Sequence, residues 1–217
     1  MNKYRSIFEN KKHSILLGSL LLLLFGHLLV PKELVASFVP IFLMQNVVVS
    51  LLIFTEKQIW TISLGVFLLF LIIEFYFISG PKGEIESTVG FAYILYFTLI
   101  STKVYHKIYA SKIVGRELIA AVFSGFIMLS TIGSFIFLSI EVYSPNSFSN
   151  LGEGIAKYHN IRYFSFITTL TIGYGDIVPI SNVAKNFTIL LGLAGNFYSV
   201  IVTGIVLGKF VSEKKNT

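Results

Sequence analysis

The chain has 217 residues, 54% of them hydrophobic and 13% charged, with a formal charge of +6. Soluble domains carry roughly 25% charged residues, so this balance, with a mean hydropathy of +0.78, puts most of the chain in lipid and excludes an ordinary soluble enzyme. The absence of cysteine removes disulfide frameworks, thiolate metal sites and catalytic thiols.

Crossing a hydrocarbon layer about 30 Å thick takes roughly 20 helical residues, and only helices or closed barrels satisfy backbone polar groups there. Taken in chain order, runs 14–31 and 34–55 carry no Asp, Glu, Lys or Arg, 58–78 is broken only by Glu74, and 88–109 only by Lys103 and Lys107. Runs 118–140 and 186–208 are again uncharged. None alternates like a strand, so the fold class predicted is an all-α integral membrane protein with six transmembrane helices.

Basic residues mark the cytoplasmic side. Lys3, Arg5, Lys11, Lys12, Lys57, Lys103, Lys107, Lys112, Arg116, Lys209, Lys214 and Lys215 fall on one side, against Lys32, Lys82, Lys157, Arg162 and Lys185 on the other. Both termini of this multi-pass protein are therefore expected in the cytoplasm. A cleaved signal peptide is the alternative for the first run; no A-x-A site follows Val30, and removing that run leaves an odd number of spans.

The connection at 141–185, rich in Ser, Asn, Gly and Tyr, is the long one, and long loops usually carry function. It contains Thr168-Thr169-Leu170-Thr171-Ile172-Gly173-Tyr174-Gly175-Asp176. Replacing the hydration shell of a cation requires successive backbone carbonyls aimed at one axis, whereas an ordinary strand alternates them. Gly173 and Gly175 allow the positive φ that such a path needs.

This segment resembles the potassium channel pore family, whose filter signature reads TxGYGD. The resemblance implies that the backbone carbonyls of Thr171, Ile172, Gly173 and Tyr174 bind K+, with Gly175 completing the filter and the Thr171 hydroxyl at its inner end. It implies a re-entrant pore helix from about 162 to 170, packing through Tyr163, Phe164 and Phe166, with its negative carboxyl end toward the cavity. Ile172 and Tyr174 then brace the filter against that helix, with Asp176, Tyr163 and Thr168 as filter support. One filter per chain makes the working unit a homotetramer. Gly195 occupies the place of an inner-helix hinge, and Asn196, Ser199 and Thr203 share approximately one stripe and line the cavity. Polar contact between packed helices is the other reading of that stripe. Gly204 and Gly208 allow a close helix crossing. The expected division is a four-helix transmembrane domain at 1–116, an ion-conducting pore domain at 117–210 and a tail at 211–217.

Several features depart from the family pattern. The fourth helix has no arginine, only Lys103, His106, Lys107 and Lys112 near its cytoplasmic end; steep gating needs three or four charges per subunit crossing the field. Weak or absent voltage dependence is expected, with a lysine-based sensor as the alternative. Only 210–217 follows the sixth run here, and gating by a cytoplasmic ligand-sensing domain is not expected. Tyr163 and Phe164 stand where many members have two tryptophans, and Ile167 where some have glutamate. The Tyr163 hydroxyl is expected to donate to Asp176, or else to serve in aromatic packing at the interface.

Glu74 demands a partner at membrane depth, Lys103 or His106 being the candidates, in a structural pair or a gating role. His27 and His159 are of the type that titrates near neutral pH. Gly152-Glu153-Gly154 opens no nucleotide fingerprint, no HExxH, GxSxG or Walker sequence occurs, and the histidines are scattered.

The reading is thus a potassium-selective channel passing ions down their gradient, without covalent chemistry. It has no cofactor, K+ being the transported ion, and no nucleic-acid partner. Membrane lipid and its own copies are the partners, and a plasma membrane suits it better than an organelle. A poorly selective cation channel, a non-conducting modulatory subunit and a potassium-transporter subunit are the alternatives. The intact filter speaks against the silent subunit, and the single pore repeat against the transporter.

Overall fold

A computed structural model describes residues 11–31, 35–54, 84–111 and 113–215. The expected third helix at 58–78 with Glu74, and the connection residues Lys32, Lys57, Lys82 and Lys112, lie outside the described residues. Within them the chain is helical: α1 Lys12–Phe25 followed by a 3-10 turn Gly26–Leu29, α2 Val35–Phe54, α3 Glu84–Ala110, α4 Arg116–Tyr143, α5 Ile155–Thr169 and α6 Asn182–Lys215. Of these, Lys12–Leu29, Arg116–Tyr143 and Asn182–Ser212 are long and apolar enough to cross a membrane, and Ile41–Ser50 is a shorter apolar stretch. The chain is an all-helical membrane protein.

Apolar surroundings force hydroxyls to find partners on their own helix. Ser50, Ser101, Ser130, Thr131, Ser134, Ser139, Thr169, Thr188 and Ser199 each donate to the carbonyl four residues earlier, which satisfies a side-chain donor at no cost in helical hydrogen bonds.

The described residues form two compact units. One holds α1, α2, 102–125 and the end of α6. There α1 buries His13, Leu16, Ser19, Leu20 and Leu23 at helical spacing. Both Gln45 and Asn46 of α2 donate to the buried Ser19 hydroxyl, at 2.9 and 2.8 Å. The carboxylate of Glu117, in the first turn of α4, accepts the His13 amide at 2.9 Å, the Ser14 amide at 3.3 Å and the Ser14 hydroxyl. It thus satisfies the open amino end of α1 from another helix. At the opposite polarity, Lys209 Nζ donates to the carbonyls of Ile108 and Tyr109 in the last turn of α3, where a cation offsets the helix dipole.

The second unit holds 84–101 and 126–207. Tyr93 and Phe97 of α3 stack on Phe135 of α4, with ring centroids 5.1 and 6.0 Å apart. Behind α5 lies a cluster of Phe137, Ile140, Phe148, Leu151, Ile161, Phe164, Ile167, Ile177, Ala184 and Leu191. Its centre is a triangle of Phe137, Phe148 and Phe164 with centroids 5.2 to 5.4 Å apart. This cluster seats the short helix whose end opens the filter motif.

Candidate functional site: the filter segment and its supports

The helix α5, where the resemblance implies a pore helix from about 162 to 170, begins earlier, at Ile155. Gly154, with φ of 56°, turns the chain into it. Its polar first turns are held by Lys157, paired with Glu141 at 3.4 Å, and by the Asn160 amide donating to Leu151 O at 2.9 Å. The packing face is also corrected. Ile161, Phe164 and Ile167 are buried, whereas Tyr163 is 37% exposed and Phe166 only half-buried. The spacing of three puts the first set on one side of the helix, and Tyr163 falls outside it.

Two close approaches lock α5 in place. Ser165 Oγ donates to Ser130 O of α4 at 2.7 Å, beside Gly133, where a Cβ would stand 2.6 Å from Ser165 Oγ and from Leu191 Cδ2. At the carboxyl end of α5, a Cβ on Gly195 of α6 would stand 2.3 Å from Thr169 O. Gly195 is therefore a contact surface for α5, and α6 is continuous through it.

At Leu170 the helix ends, and the backbone changes character. Thr171, Gly173 and Gly175 have φ of 58°, 57° and 79°, and the residues between them do not take positive φ. Such alternation of hand turns successive carbonyls to one side, as in the filters of potassium channels. Glycine adopts this region freely; a β-branched threonine does so only where its surroundings impose it. The imposing contacts are local. Thr171 N–H donates to Thr168 O at 3.0 Å, and Ile167 O accepts both Ile172 N–H at 2.8 Å and Gly173 N–H at 3.3 Å. Residue type marks positive φ at the two glycines but not at Thr171, which the sequence places in the filter without any sign of its backbone hand.

Residues 171–176 are exposed in the single chain, Ile172 by 47% and Tyr174 by 72%. Tyr174 still lies near enough to Tyr163 of α5 for the two phenols to interact electrostatically. The Tyr163 phenol is raised from its ordinary range, first by desolvation and then by the neighbouring Asp176 carboxylate and the Tyr174 phenol. Arg162 Nη2 donates to His159 Nδ1 at 3.0 Å, so these two side chains of the helix face one another. Asn196, Ser199 and Thr203 are exposed on α6, and the Ser199 hydroxyl proton is engaged by Gly195 O at 3.0 Å. Gly204 and Gly208 have open space around them, so the chain itself makes no close crossing there. Among the described residues no cluster of His, Cys, Asp or Glu is arranged to hold a metal ion.

Residues 126–212 match the ion channel family. Over 157 residues, 72% of this chain, the sequence is 32% identical to the voltage-gated potassium channel Kch of Escherichia coli (strain K12), covering 32% of that protein. Two channels of Arabidopsis thaliana are also similar. Two-pore potassium channel 5 is 32% identical over 73 residues, 33% of this chain and 18% of its own length. Two-pore potassium channel 3 is 31% identical over 93 residues, 42% of this chain and 20% of its own length. The chain thus spans about a third of the length of Kch and about a fifth of the plant channels. No solved structure matches the chain significantly. With an alternating-hand backbone directly after the carboxyl end of α5, residues 126–212 match the ion channel family and are similar in sequence to potassium channels.

Proposed function

We propose that the protein is a potassium-selective channel that conducts K+ passively. The observation that carries this reading is the run of positive φ at Thr171, Gly173 and Gly175, directly after the carboxyl end of α5. Carbonyls turned to one side coordinate a dehydrated cation, while the negative end of a 15-residue helix favours it in the cavity below.

One chain supplies one wall of such a pathway, so the working form is a homotetramer with re-entrant pore helices. Exposure of residues 171–176 and of Leu193, Phe197, Val200 and Ile201 on α6 supports this assembly, since large apolar surface left open in a single chain is covered by copies or lipid. In the tetramer Ile172 and Tyr174 pack against neighbouring subunits, Asn196, Ser199 and Thr203 line the cavity, and Asp176, Tyr163 and Thr168 support the filter. Six spans, both termini in the cytoplasm, a plasma-membrane location and a division into 1–116, 117–210 and 211–217 complete the reading.

Voltage dependence is weak or absent, because the basic residues of α3, Lys103, His106 and Lys107, all lie near one end and cross little of the field. The name of the Kch relative points the other way. Conductance measured against voltage in symmetric K+ decides, and a steep rise over a few tens of millivolts would refute weak dependence.

The test of conduction is K+ flux into liposomes holding the purified protein, with Na+ as competitor and Ba2+ as blocker. Ba2+-sensitive, K+-selective uptake that Gly173→Asp abolishes is the expected result. Equal Na+ and K+ flux would establish the poorly selective pore instead.

A further inference from the structure

The outer connection between α4 and α5 contains a set of contacts that conduction as described leaves without a role. Glu141, near the carboxyl end of α4, is 5% exposed. Its carboxylate accepts the Asn146 amide at 3.0 Å and the Ser147 amide at 2.9 Å, and it pairs with Lys157. A carboxylate at this burial is retained by having all three partners.

The segment it holds runs antiparallel to the chain that leaves the filter. Ser149 N–H donates to Val178 O at 3.0 Å, and Val178 N–H returns a bond to Ser149 Oγ at 3.0 Å. Ile180 N–H and Ser181 N–H donate to Ser147 O at 2.7 and 3.3 Å. Phe148 pairs with Pro179 across this strap while its ring fills the aromatic triangle behind the pore helix. The strap ends at Asn150, whose side-chain amide donates to Asp176 O at 2.8 Å. Asp176 is the first residue beyond the filter glycines.

We infer that Asn150 is a positioning residue for K+ binding at the outer end of the filter, with the Glu141-anchored strap as its mount. The inference rests on the channel reading. Its physical basis is that the filter backbone is held at two places. Ile167 O fixes the inner end through Ile172 and Gly173, and Asn150 fixes the outer end through the Asp176 carbonyl. Between them, the Cβ positions of Gly173 and Gly175 meet nothing within 4 Å. Tying up the Asp176 carbonyl fixes the peptide that follows Gly175 and Tyr174 and so limits how far the chain carrying their carbonyls can turn. Asparagine suits the position twice over, since φ is 55°, a region asparagine tolerates better than most residues, and its amide supplies the donor.

The experiment uses the full-length protein in liposomes and planar bilayers, with Asn150→Gly and Asn150→Asp. Glycine keeps the left-handed turn and removes the donor; aspartate keeps size and turn and offers an acceptor in its place. Both are expected to lower K+ over Na+ selectivity roughly 2- to 12-fold, the equilibrium factor of one hydrogen bond. Both are also expected to hasten current decay at low external K+, with high external K+ slowing it again by keeping the outer site occupied. Glu141→Gln, which loosens the mount without touching the filter, shifts both readouts in the same direction by less, and serves if the Asn150 variants fail to assemble. Variants that keep wild-type selectivity and decay in a conducting channel overturn the inference alone. A wild-type protein that passes no K+ overturns the channel reading first.

Discussion

Gly195→Ala separates two roles for one residue. A Cβ there would stand 2.3 Å from Thr169 O and 2.9 Å from Thr169 Cγ2, so an ordinary contact requires α6 or the end of α5 to retreat by about 1 Å in a close-packed site. Overpacking of this kind costs about 1–3 kcal/mol, and the upper end applies because the nearest atom is backbone. Alanine returns at most about 1 kcal/mol of helix propensity. The net expectation is a loss of about 1–2 kcal/mol, together with displacement of the Thr169 carbonyl next to the filter. Gly18→Ala, at an exposed position of α1 with nothing within 4 Å, controls for propensity and is expected to be neutral or slightly stabilising.

The assay pairs thermal melting of the detergent-solubilised protein with K+ and Na+ flux. Steric contact predicts a lower melting temperature and poorer selectivity. A hinge predicts an unchanged melting temperature and selectivity with altered open probability. Adding Thr169→Ser removes the methyl and leaves the carbonyl in place, so it should restore little. Gly195→Ala melting and selecting like wild type, or full rescue by Thr169→Ser, would refute the reasoning.

Phe164→Ala opens the centre of the aromatic triangle and is expected to cost about 3–5 kcal/mol, read as loss of folded protein in membranes; normal yield and melting would count against the cluster as the seat of the pore helix. Ser165→Ala deletes the bond to Ser130 O and should lower stability by about 1 kcal/mol, with unchanged melting as the contrary result. Tyr163→Phe removes the phenol hydroxyl beside Asp176 from a residue already 37% exposed. It should leave melting unaltered and hasten current decay, and currents identical to wild type would show that the phenol does nothing for the filter. Glu117→Ala leaves the amino end of α1 without its acceptor and is expected to cost about 1–3 kcal/mol without changing selectivity; a shift in selectivity would mean that this cap also governs the pore.

The apolar runs and the filter motif were legible from residues alone, because both follow from local chemistry. A stretch such as 118–140 must be helical in lipid whatever it packs against, and Gly173 and Gly175 advertise their conformational freedom by type. The carboxyl end of the pore helix was placed to within a residue for the same reason, since it abuts the motif. Its beginning was not, because the polar turn at 155–161 reads as loop until Glu141 is seen to pair with Lys157 and Asn160 to reach Leu151. Thr171 gave no local sign of positive φ; the carbonyls of Ile167 and Thr168 set the backbone there. Gly195 could be a hinge or a contact until Thr169 O was found against it. The strap from Glu141 to Asn150 joins residues 26 or more positions apart to the filter exit. Lipid and backbone chemistry act residue by residue and so are written along the chain, whereas partners, close approaches and imposed dihedrals exist only once distant segments have come together.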